Sequence, residues 1–423
     1  MKKLLIIGWV WPEPNSSAAG SRMLQLIQFF QQQDYYITFA CTAQRTEHMA
    51  DLTEVNVDSV DINLNCSSFD VFMAKLQPDV VMFDRFMMEE QFGWRVSEKC
   101  PQALRILDTE DLFCLRNARH TAYKQNRTMT NADLLSSDLA QREVAAIFRC
   151  DLTLMISPVE ITLLTDLFKV DASLLHYLPF VFNQEQRQQN NPSYHQRQGF
   201  ISIGNFRHPP NWDCVLWLKQ QIWPLIRQQL PEAELLICGA YPPPKATDLH
   251  DVKSGFLVKG WVDDAVHVMQ TSRVCLAPLR FGAGIKGKLA EAMLCATPSV
   301  TTDIGIEGMQ TQLAWPGIVA NEAQAIADAA VKLYQQANDW QIASDLGATN
   351  AEELFEQVKH FEALSSCIDK LLADLEHHRQ LNFIGTMLNH HHHKSTKYMS
   401  QWIEVKNKLL TTCDEQGAVY KTN

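Results

Sequence analysis

One stretch constrains the fold of this chain more than any other. It spans residues 274–309 and reads VCLAPLRFGAGIKGKLAEAMLCATPSVTTDIGIEGM. The stretch begins with an apolar run, residues 274–278, which is typical of a buried strand. A glycine-containing turn follows, then a helix that opens around Lys288, then a second strand at residues 299–302. Strand, turn, helix and strand in this order predict an open α/β sheet, in which ligands bind at the carboxyl ends of strands.

The turn in this stretch combines the features of an anion site. Gly284 lets backbone approach a ligand closely, and the start of the following helix offers free N–H groups. Glu291 lies one turn into the helix, where its two acceptor oxygens suit a vicinal diol such as a ribose. A site for phosphate and sugar together predicts a nucleotide or a nucleotide sugar. The turn also brings three cations within nine positions, Arg280, Lys286 and Lys288.

The segment PLRFGAGIKGKLAEAMLCATPSV resembles the donor-binding region of family 4 glycosyltransferases, which are retaining enzymes of the GT-B fold. It is most similar to the subgroup that reads PLRxGxGxKxKxxEAMxxGxPxV. Ala296 stands where the family usually has glycine, and Ala283 stands where many members carry a first glutamate. The two-glutamate arrangement of the family therefore does not transfer. The resemblance is specific over residues 200–309 and weak over the amino-terminal half.

The resemblance implies an α/β fold of two Rossmann-like, doubly wound domains that face each other across a cleft. The last helices would cross back onto the first domain. Residues 184–198, rich in glutamine, asparagine and arginine, predict the linker between domains. We therefore expect an acceptor domain at 1–183, a donor domain at 199–365, and carboxyl-terminal helices with a polar tail at 366–423.

The activity implied by the resemblance is transfer of a sugar from a nucleotide-sugar donor, of UDP or GDP type, to a glycan, lipid or protein acceptor. The resemblance also implies retention, a role in cell-surface polysaccharide or glycoconjugate synthesis, and neither a cofactor nor a metal. Fixed cations would stabilise the departing diphosphate, and the leaving phosphate would take the acceptor proton. Arg207, Arg280 and Lys288 are the cations expected in this role.

Several further residues are expected at the donor. Gly204 and Asn205 belong to the strand-to-helix turn that contains Arg207, where the family holds the diphosphate. A small-residue turn at residues 16–20 would face the cleft, although an ordinary connecting loop fits it equally well. The loop after the second strand resembles a GxEGM sequence that would face the transferred sugar, and a surface loop without contacts is the competing interpretation. The residues concerned in these two loops are Gly20, Gly305, Glu307 and Gly308.

Carboxylates follow the strand at residues 104–107. The family carries a histidine and an aspartate here, facing the acceptor and the transferred sugar. Glu110 aligns with that histidine and Asp111 with that aspartate, so the role of the histidine does not transfer. The alternative is that these carboxylates cap the next helix. Arg116 and Arg119 are candidate partners for them, or for an acceptor anion.

Composition narrows the function class and the compartment. A net charge of −11 argues against a general nucleic-acid binder, which needs a basic face. The 11 cysteines include no CxxC pair, which indicates a reducing compartment. With neither a signal peptide nor an apolar run of membrane-spanning length, we expect a cytoplasmic protein, with peripheral attachment at the inner membrane surface left open. Oligomeric state is left open as well.

Two alternatives to a glycosyltransferase remain at this point. One is a catalytically weak GT-B-like binding or scaffold protein. The absence of the family's histidine at position 110 favours this alternative. The other is a sugar-nucleotide epimerase of similar fold, for which the chain offers no convincing set of carboxylates or histidines. Four adjacent histidines, residues 390–393, lack the spaced geometry of a zinc site and predict a solvated loop.

Overall fold

The computed structural model describes residues 1–187 and 190–416, with the side chains of all of these except 392–393 and 410–416. Two parallel sheets form its framework. The first has seven strands in the order β3-β2-β1-β4-β5-β6-β7. These strands are β1 (Lys3–Gly8), β2 (Tyr36–Cys41), β3 (Asp58–Asp61), β4 (Val80–Asp84), β5 (Leu104–Asp108), β6 (Leu152–Met155) and β7 (Leu175–Tyr177).

Apolar runs explain the first sheet. β4, β5 and β6 are buried along their whole length, as expected where helices cover both faces of a parallel sheet. Register begins with Lys3 beside Tyr36 and Leu4 beside Val80. The helices of this half are α1 (Ala18–Gln32), α2 (Ser68–Leu76), α3 (Phe86–Lys99), α4 (Phe113–Lys124), α5 (Asn131–Leu135), α6 (Asp138–Arg149), α7 (Pro158–Asp166) and α8 (Gln184–Arg187).

The second sheet has six parallel strands in the order β10-β9-β8-β11-β12-β13. The strands are β8 (Gln198–Ile203), β9 (Leu235–Cys238), β10 (Phe256–Gly260), β11 (Ser272–Ala277), β12 (Ser299–Thr301) and β13 (Gly317–Val319). The helices are α9 (Pro209–Trp217), α10 (Trp223–Gln229), α11 (Pro244–Thr247), α12 (Ala265–Thr271), α13 (Gly287–Leu294), α14 (Asp303–Ile306), α15 (Ala323–Gln335) and α16 (Ala337–Phe355). A π-helical stretch, Leu218–Ile222, joins α9 to α10.

The last helices are α17 (Gln357–Ala373), α18 (Leu375–Leu381) and α19 (Phe383–Gln416). α17 returns to the first domain, where Phe361 packs edge-on against Phe29 of α1 at 5.1 Å between ring centroids. Leu364 and Ile368 join the same apolar core. α19 continues across α3 and α6. The predicted architecture of two doubly wound domains, with carboxyl-terminal helices crossing back, is therefore confirmed.

The histidine run, one helix and the domain limits differ from the predicted architecture or remain untested. The predicted loop at residues 390–393 is wrong, because this stretch lies inside α19, and two of its four side chains are outside the described ones. α3 has no counterpart in the expectations from sequence. The domain limits stay predictions; within the predicted linker lie α8 and a 3₁₀ turn, Tyr194–Gln196. The last predicted segment, 366–423, extends beyond the described residues, which end at 416.

Candidate active site in the interdomain cleft

Two helix N-termini meet across the cleft. α1 of the first domain begins at Ala18, and α13 of the second begins at Gly287. A Cβ atom added to Gly287 would lie 2.6 Å from the Cβ of Ala18, so only glycine permits this approach. Each N-terminus carries the positive end of a helix dipole and unpaired N–H groups. An anion beside this contact would therefore be stabilised from both domains.

Glycine also shapes the start of α1. The Oγ of Ser17 caps the helix by accepting from the Gly20 amide at 3.1 Å. A Cβ at Gly20 would overlap the backbone of Glu13, so the loop that precedes the helix can fold over it only at glycine. The structure thus places Gly20 in the first turn of α1, and its role at a donor stays a prediction.

Two lysines flank the N-terminus of α13. The Nζ of Lys286 donates to the Gly284 carbonyl at 2.6 Å and to the Ala283 carbonyl at 3.2 Å, and burial lowers its pKa to about 8. The Nζ of Lys288 donates to Asn211 Oδ1 at 2.8 Å, and burial lowers its pKa as well. Both side chains are therefore held in place beside the helix start.

Lys288 reaches across the turn after β8. A Cβ at Gly204 would lie 2.8 Å from its Nζ, so glycine makes room for the ammonium group. Asn211 is fixed in turn, since its Nδ2 donates to the Asn205 carbonyl at 3.0 Å. The turn, with Gly204 and Asn205, and α13 thus form one surface around Lys288.

Glu291 lies on the same helix, one turn further on. Its pKa is raised to about 7, because burial penalises the charged carboxylate more than the Lys288 charge stabilises it. Within the described part of the chain its side chain has no hydrogen-bond partner. A half-buried carboxylate without a hydrogen-bond partner in the protein is available to accept hydrogen bonds from a ligand.

The turn after β8 reaches the first domain through two side chains. Asn205 Nδ2 donates to Ser16 Oγ at 3.1 Å. Arg207 is exposed, and its guanidinium lies 3.6 Å from the centroid of the Tyr241 ring. The Tyr241 hydroxyl donates to Glu13 of the first domain at 2.8 Å. Arg207 therefore stands at the cleft rim, with its guanidinium over the Tyr241 ring.

Arg280 is engaged by a carboxylate that the sequence analysis did not anticipate. Its Nε and Nη2 donate to the two oxygens of Asp213, at 2.9 and 2.7 Å. The guanidinium also lies 4.8 Å from the Tyr123 ring and 4.9 Å from the Trp217 ring. Such a bidentate pair neutralises most of the charge expected to act on a diphosphate.

A second cluster of charged residues lies at the carboxyl ends of β4 and β5. Glu110 has a left-handed backbone, φ +64°, and burial followed by repulsion from Asp108 raises its pKa to about 8. Asp108 is itself paired with Arg22 at 2.9 Å. Arg85, at φ +71°, follows the end of β4 and lies in the field of the same carboxylates. The sequence analysis missed both arginines; the signal available was their charge at a strand or helix end that faces the cleft.

Asp111 and Gly284 touch across the cleft. Asp111 forms an ion pair with Arg116, and a Cβ at Gly284, where φ is +63°, would lie 2.9 Å from the Asp111 Cβ. The Gly284 amide donates at 2.7 Å to Glu160, which also accepts from the Leu112 amide at 3.2 Å. Burial and the neighbouring Asp111 raise the pKa of Glu160 to about 8. The sequence analysis missed Glu160. The feature that could have identified it is an acidic residue in the first turn of α7, directly after β6.

The loop after β12 also reaches the first domain. Arg119 donates to both oxygens of Glu307, at 2.7 and 2.8 Å. Gly308 has φ +78°, and a Cβ there would lie 2.5 Å from Ser157 Oγ. Gly305 begins the same loop inside α14, where a Cβ would overlap the Thr301 hydroxyl. This loop is therefore packed against the first domain, and its contact with a sugar stays a prediction.

A family model matches the segment of the chain that contains part of this site. Residues 197–336 match the family model described as Glycosyl transferases group 1. That span contains the turn after β8 and the whole of α13. In addition, a segment of 129 residues is 25% identical to a Klebsiella pneumoniae protein described as an uncharacterized 44.6 kDa protein in the cps region. This second match covers 29% of the chain and 33% of that protein's length.

Solved structures share the fold over most of the chain. Sucrose-phosphate synthase of Thermosynechococcus elongatus aligns with a TM-score of 0.64 at 13% identity, covering 88% of this chain and all of that one. Anabaena HepE, solved with UDP and glucose, gives 0.65 at 12% identity over 88% and 100% of the two chains. A Staphylococcus aureus TarM variant, solved with fondaparinux, alpha-GlcNAc-glycerol and UDP, gives 0.66 at 10% identity over 87% and 99%.

At these identities the likeness shows the fold, and the predicted GT-B fold is confirmed. The family match and the fold together support a glycosyltransferase. Within the described residues, no helix is long and apolar enough to cross a membrane. The same part of the chain contains no group of three or more His, Cys, Asp and Glu placed to hold a metal ion.

Proposed function

We propose that the protein transfers a sugar from a nucleotide-sugar donor to a glycan, lipid or protein acceptor, with retention and without a metal ion. One observation carries the proposal, the meeting of the α1 and α13 N-termini at Gly287 and Ala18. Lys286 and Lys288 stand beside that point. Two helix dipoles and two lysines form an environment in which a diphosphate is stabilised without a divalent cation.

The remaining donor contacts follow from this placement. With the diphosphate at the helix starts, Glu291 is one turn along α13 and would accept from the ribose hydroxyls. Gly305, Glu307 and Gly308 would lie near the sugar, and Gly204 with Asn205 would border the phosphates. Arg207 would join only by leaving the Tyr241 ring, and Arg280 acts through its pair with Asp213. HepE and TarM, whose solved structures contain UDP, support a UDP-type donor over a GDP-type one.

The carboxylates suggest how the proton moves. Glu110 keeps its proton up to about pH 8, because burial raises its pKa. Asp111 is held in an ion pair with Arg116. Glu110 is therefore no base at neutral pH and the Asp111 carboxylate is engaged by Arg116, which supports transfer of the acceptor proton to the leaving phosphate. Both would instead orient the acceptor and the transferred sugar.

The cellular setting of the reaction is proposed from one relative. The curated Klebsiella relative is described by its place in a cps region. This agrees with the synthesis of cell-surface polysaccharide or glycoconjugate on the cytoplasmic side of a membrane.

A thermal-shift screen of UDP, GDP, ADP, TDP and CMP tests the proposal, because a ligand that binds only the folded state raises the melting temperature. We expect one nucleoside diphosphate to raise it, and Lys288→Ala to abolish the shift. Lys245→Ala is the matched control, since Lys245 is an exposed lysine of the same domain that lies over the Trp212 ring. If none of the five nucleotides shifts the wild type, the scaffold alternative replaces the enzyme.

A further inference from the structure

α19 carries an apolar surface that the glycosyltransferase proposal does not use. One face of this helix is docked on the first domain. Ser400 is buried and accepts from Arg95 at 3.2 Å, and Lys397 pairs with Glu98 at 2.5 Å. A further contact, Ser67 to Glu404 at 2.6 Å, holds the same face. The orientation of α19 around its own axis is therefore fixed by polar contacts.

The face opposite Ser400 is apolar and exposed. At about 100° per residue, five apolar or aromatic side chains between residues 384 and 405 fall within an arc of about 60° centred away from the docked face, together with the exposed His391. These five are between 45% and 66% exposed. We call them the α19 stripe: Ile384, Met387, Tyr398, Trp402 and Val405. From its first to its last residue the stripe runs about 30 Å along the helix.

The charge around the stripe indicates what would cover it. Of the four lysines between residues 383 and 409, Lys397 and Lys408 are paired with Glu98 and Glu404, and the other two lie on the two sides of the stripe. A second copy of this helix would bring like charges together, whereas an anionic surface would complement them. Lys394 and Lys406 flank the stripe, and the Nζ of Lys406 lies 5.2 Å from the Trp402 ring.

We propose that the α19 stripe binds the surface of an anionic phospholipid bilayer. Tyrosine and tryptophan have an apolar body and a polar tip, which places them at the headgroup boundary. Lys394 and Lys406 lie against the lipid phosphates, with their methylene stems along the apolar stripe. Among the described helices none is suited to cross the bilayer, so α19 lies along its surface. This attachment is independent of which reaction the cleft performs.

Co-sedimentation of the full-length protein with lipid vesicles tests this proposal. We expect the wild type to pellet with vesicles that mix phosphatidylglycerol into phosphatidylcholine, less so at high salt, and to stay in solution with phosphatidylcholine alone. The double substitution Tyr398→Glu and Trp402→Glu removes the stripe's aromatic centre, so bound protein falls by about tenfold or more. Lys394→Glu with Lys406→Glu should weaken binding to the anionic vesicles as well.

Ile342→Glu is the matched control, because Ile342 is 61% exposed on α16 of the second domain and lies outside the stripe. It should sediment as the wild type does. Melting temperatures of all variants are compared first, and exposed positions are expected to leave them unchanged. Unchanged sedimentation of the Tyr398 and Trp402 variant overturns the proposal. So does light scattering that shows a wild-type dimer, made monomeric by the same variant, without vesicle binding.

Discussion

Arg119 of the first domain donates a hydrogen bond to each carboxylate oxygen of Glu307 in the second domain, at 2.7 and 2.8 Å. Its Nη1 also donates to the Gly282 carbonyl at 2.8 Å. One side chain therefore holds both loops that border the candidate sugar site. Since Arg119 lies in the first domain and Glu307 in the second, the bond exists only when the two domains are docked.

Loss of this bond should be visible as coupling between the two residues. We expect Arg119→Ala and Glu307→Ala each to lower kcat/KM by about tenfold or more, because the loops lose their productive position. The double variant should be no slower than the worse single one. Steady-state kinetics on the four proteins measure the coupling. Additive losses would mean that Glu307 acts on the substrate independently of Arg119.

The contact between the two helix starts allows a rescue experiment. Gly287→Ala should leave each domain folded, since alanine favours helix more than glycine does, but it should wedge α13 away from Ala18. Activity is expected to fall by about tenfold or more, as reacting groups shift apart. Ala18→Gly on its own is the control. The combined variant regains most of the activity if the Cβ–Cβ collision is the cause, and none of it if Gly287 serves another purpose.

How far the sequence predicts this molecule differs between fold and site. Strands such as β2 and β4 were predictable because they are short apolar runs, and buried parallel strands have that pattern. The edge strand β3, with the sequence DSVD, lacks it. Residues within one local motif, such as Lys288 and Glu291, were also predictable, because strand, turn and helix fix their relative positions. α3 was missed, since its sequence FMMEEQFGWRVSEK mixes apolar and charged residues without a marked stop or start.

Partners distant in sequence were not predictable. Glu160 lies 124 residues before Gly284, and Asp213 lies 67 residues before Arg280. Glu160 meets its partner only through the docking of two separately folded sheets. Asp213 meets Arg280 because α9 happens to pass the turn after β11. No local periodicity or spacing encodes such pairs. An acidic residue can be recognised in the sequence as a candidate, but the sequence does not show which residue it contacts.

The assignment of Glu291 to a ribose predicts a change in discrimination between ligands. We expect the wild type to bind its nucleoside diphosphate about tenfold or more tightly than the 2′-deoxy analogue, because a buried acceptor left unpaired costs free energy. Glu291→Ala should bind the two about equally. Glu232→Ala, at an exposed acid of the same domain, should keep the preference. Titration calorimetry measures both ligands on each protein, and preserved discrimination in Glu291→Ala would remove this residue from the ribose site.

Metal removal supplies another prediction. The positive charge for the leaving diphosphate is proposed to come from Lys286, Lys288 and two helix N-termini, so EDTA should leave the initial rate unchanged. Activity is measured after dialysis against EDTA and again after addition of Mg²⁺ or Mn²⁺. A rate that falls with EDTA and returns with either ion would contradict the metal-independent mechanism.

Glu110 makes stability depend on pH in a defined direction. Its pKa is about 8 in the folded protein and about 4.5 as an ordinary glutamate, because burial and Asp108 disfavour the charged form. Between these values the folded state binds the proton that the unfolded state has lost, so the free energy of unfolding falls as pH rises through this window.

Glu110→Gln stays neutral and lacks this loss. We therefore expect wild type and Glu110→Gln to melt at similar temperatures near pH 4, and the variant to melt at least a few degrees higher near pH 9. Glu232→Gln, at an exposed acid, should show no such divergence. Parallel melting curves for wild type and Glu110→Gln across the whole range would show that Glu110 is ionised in the folded protein, and would restore it as a candidate base.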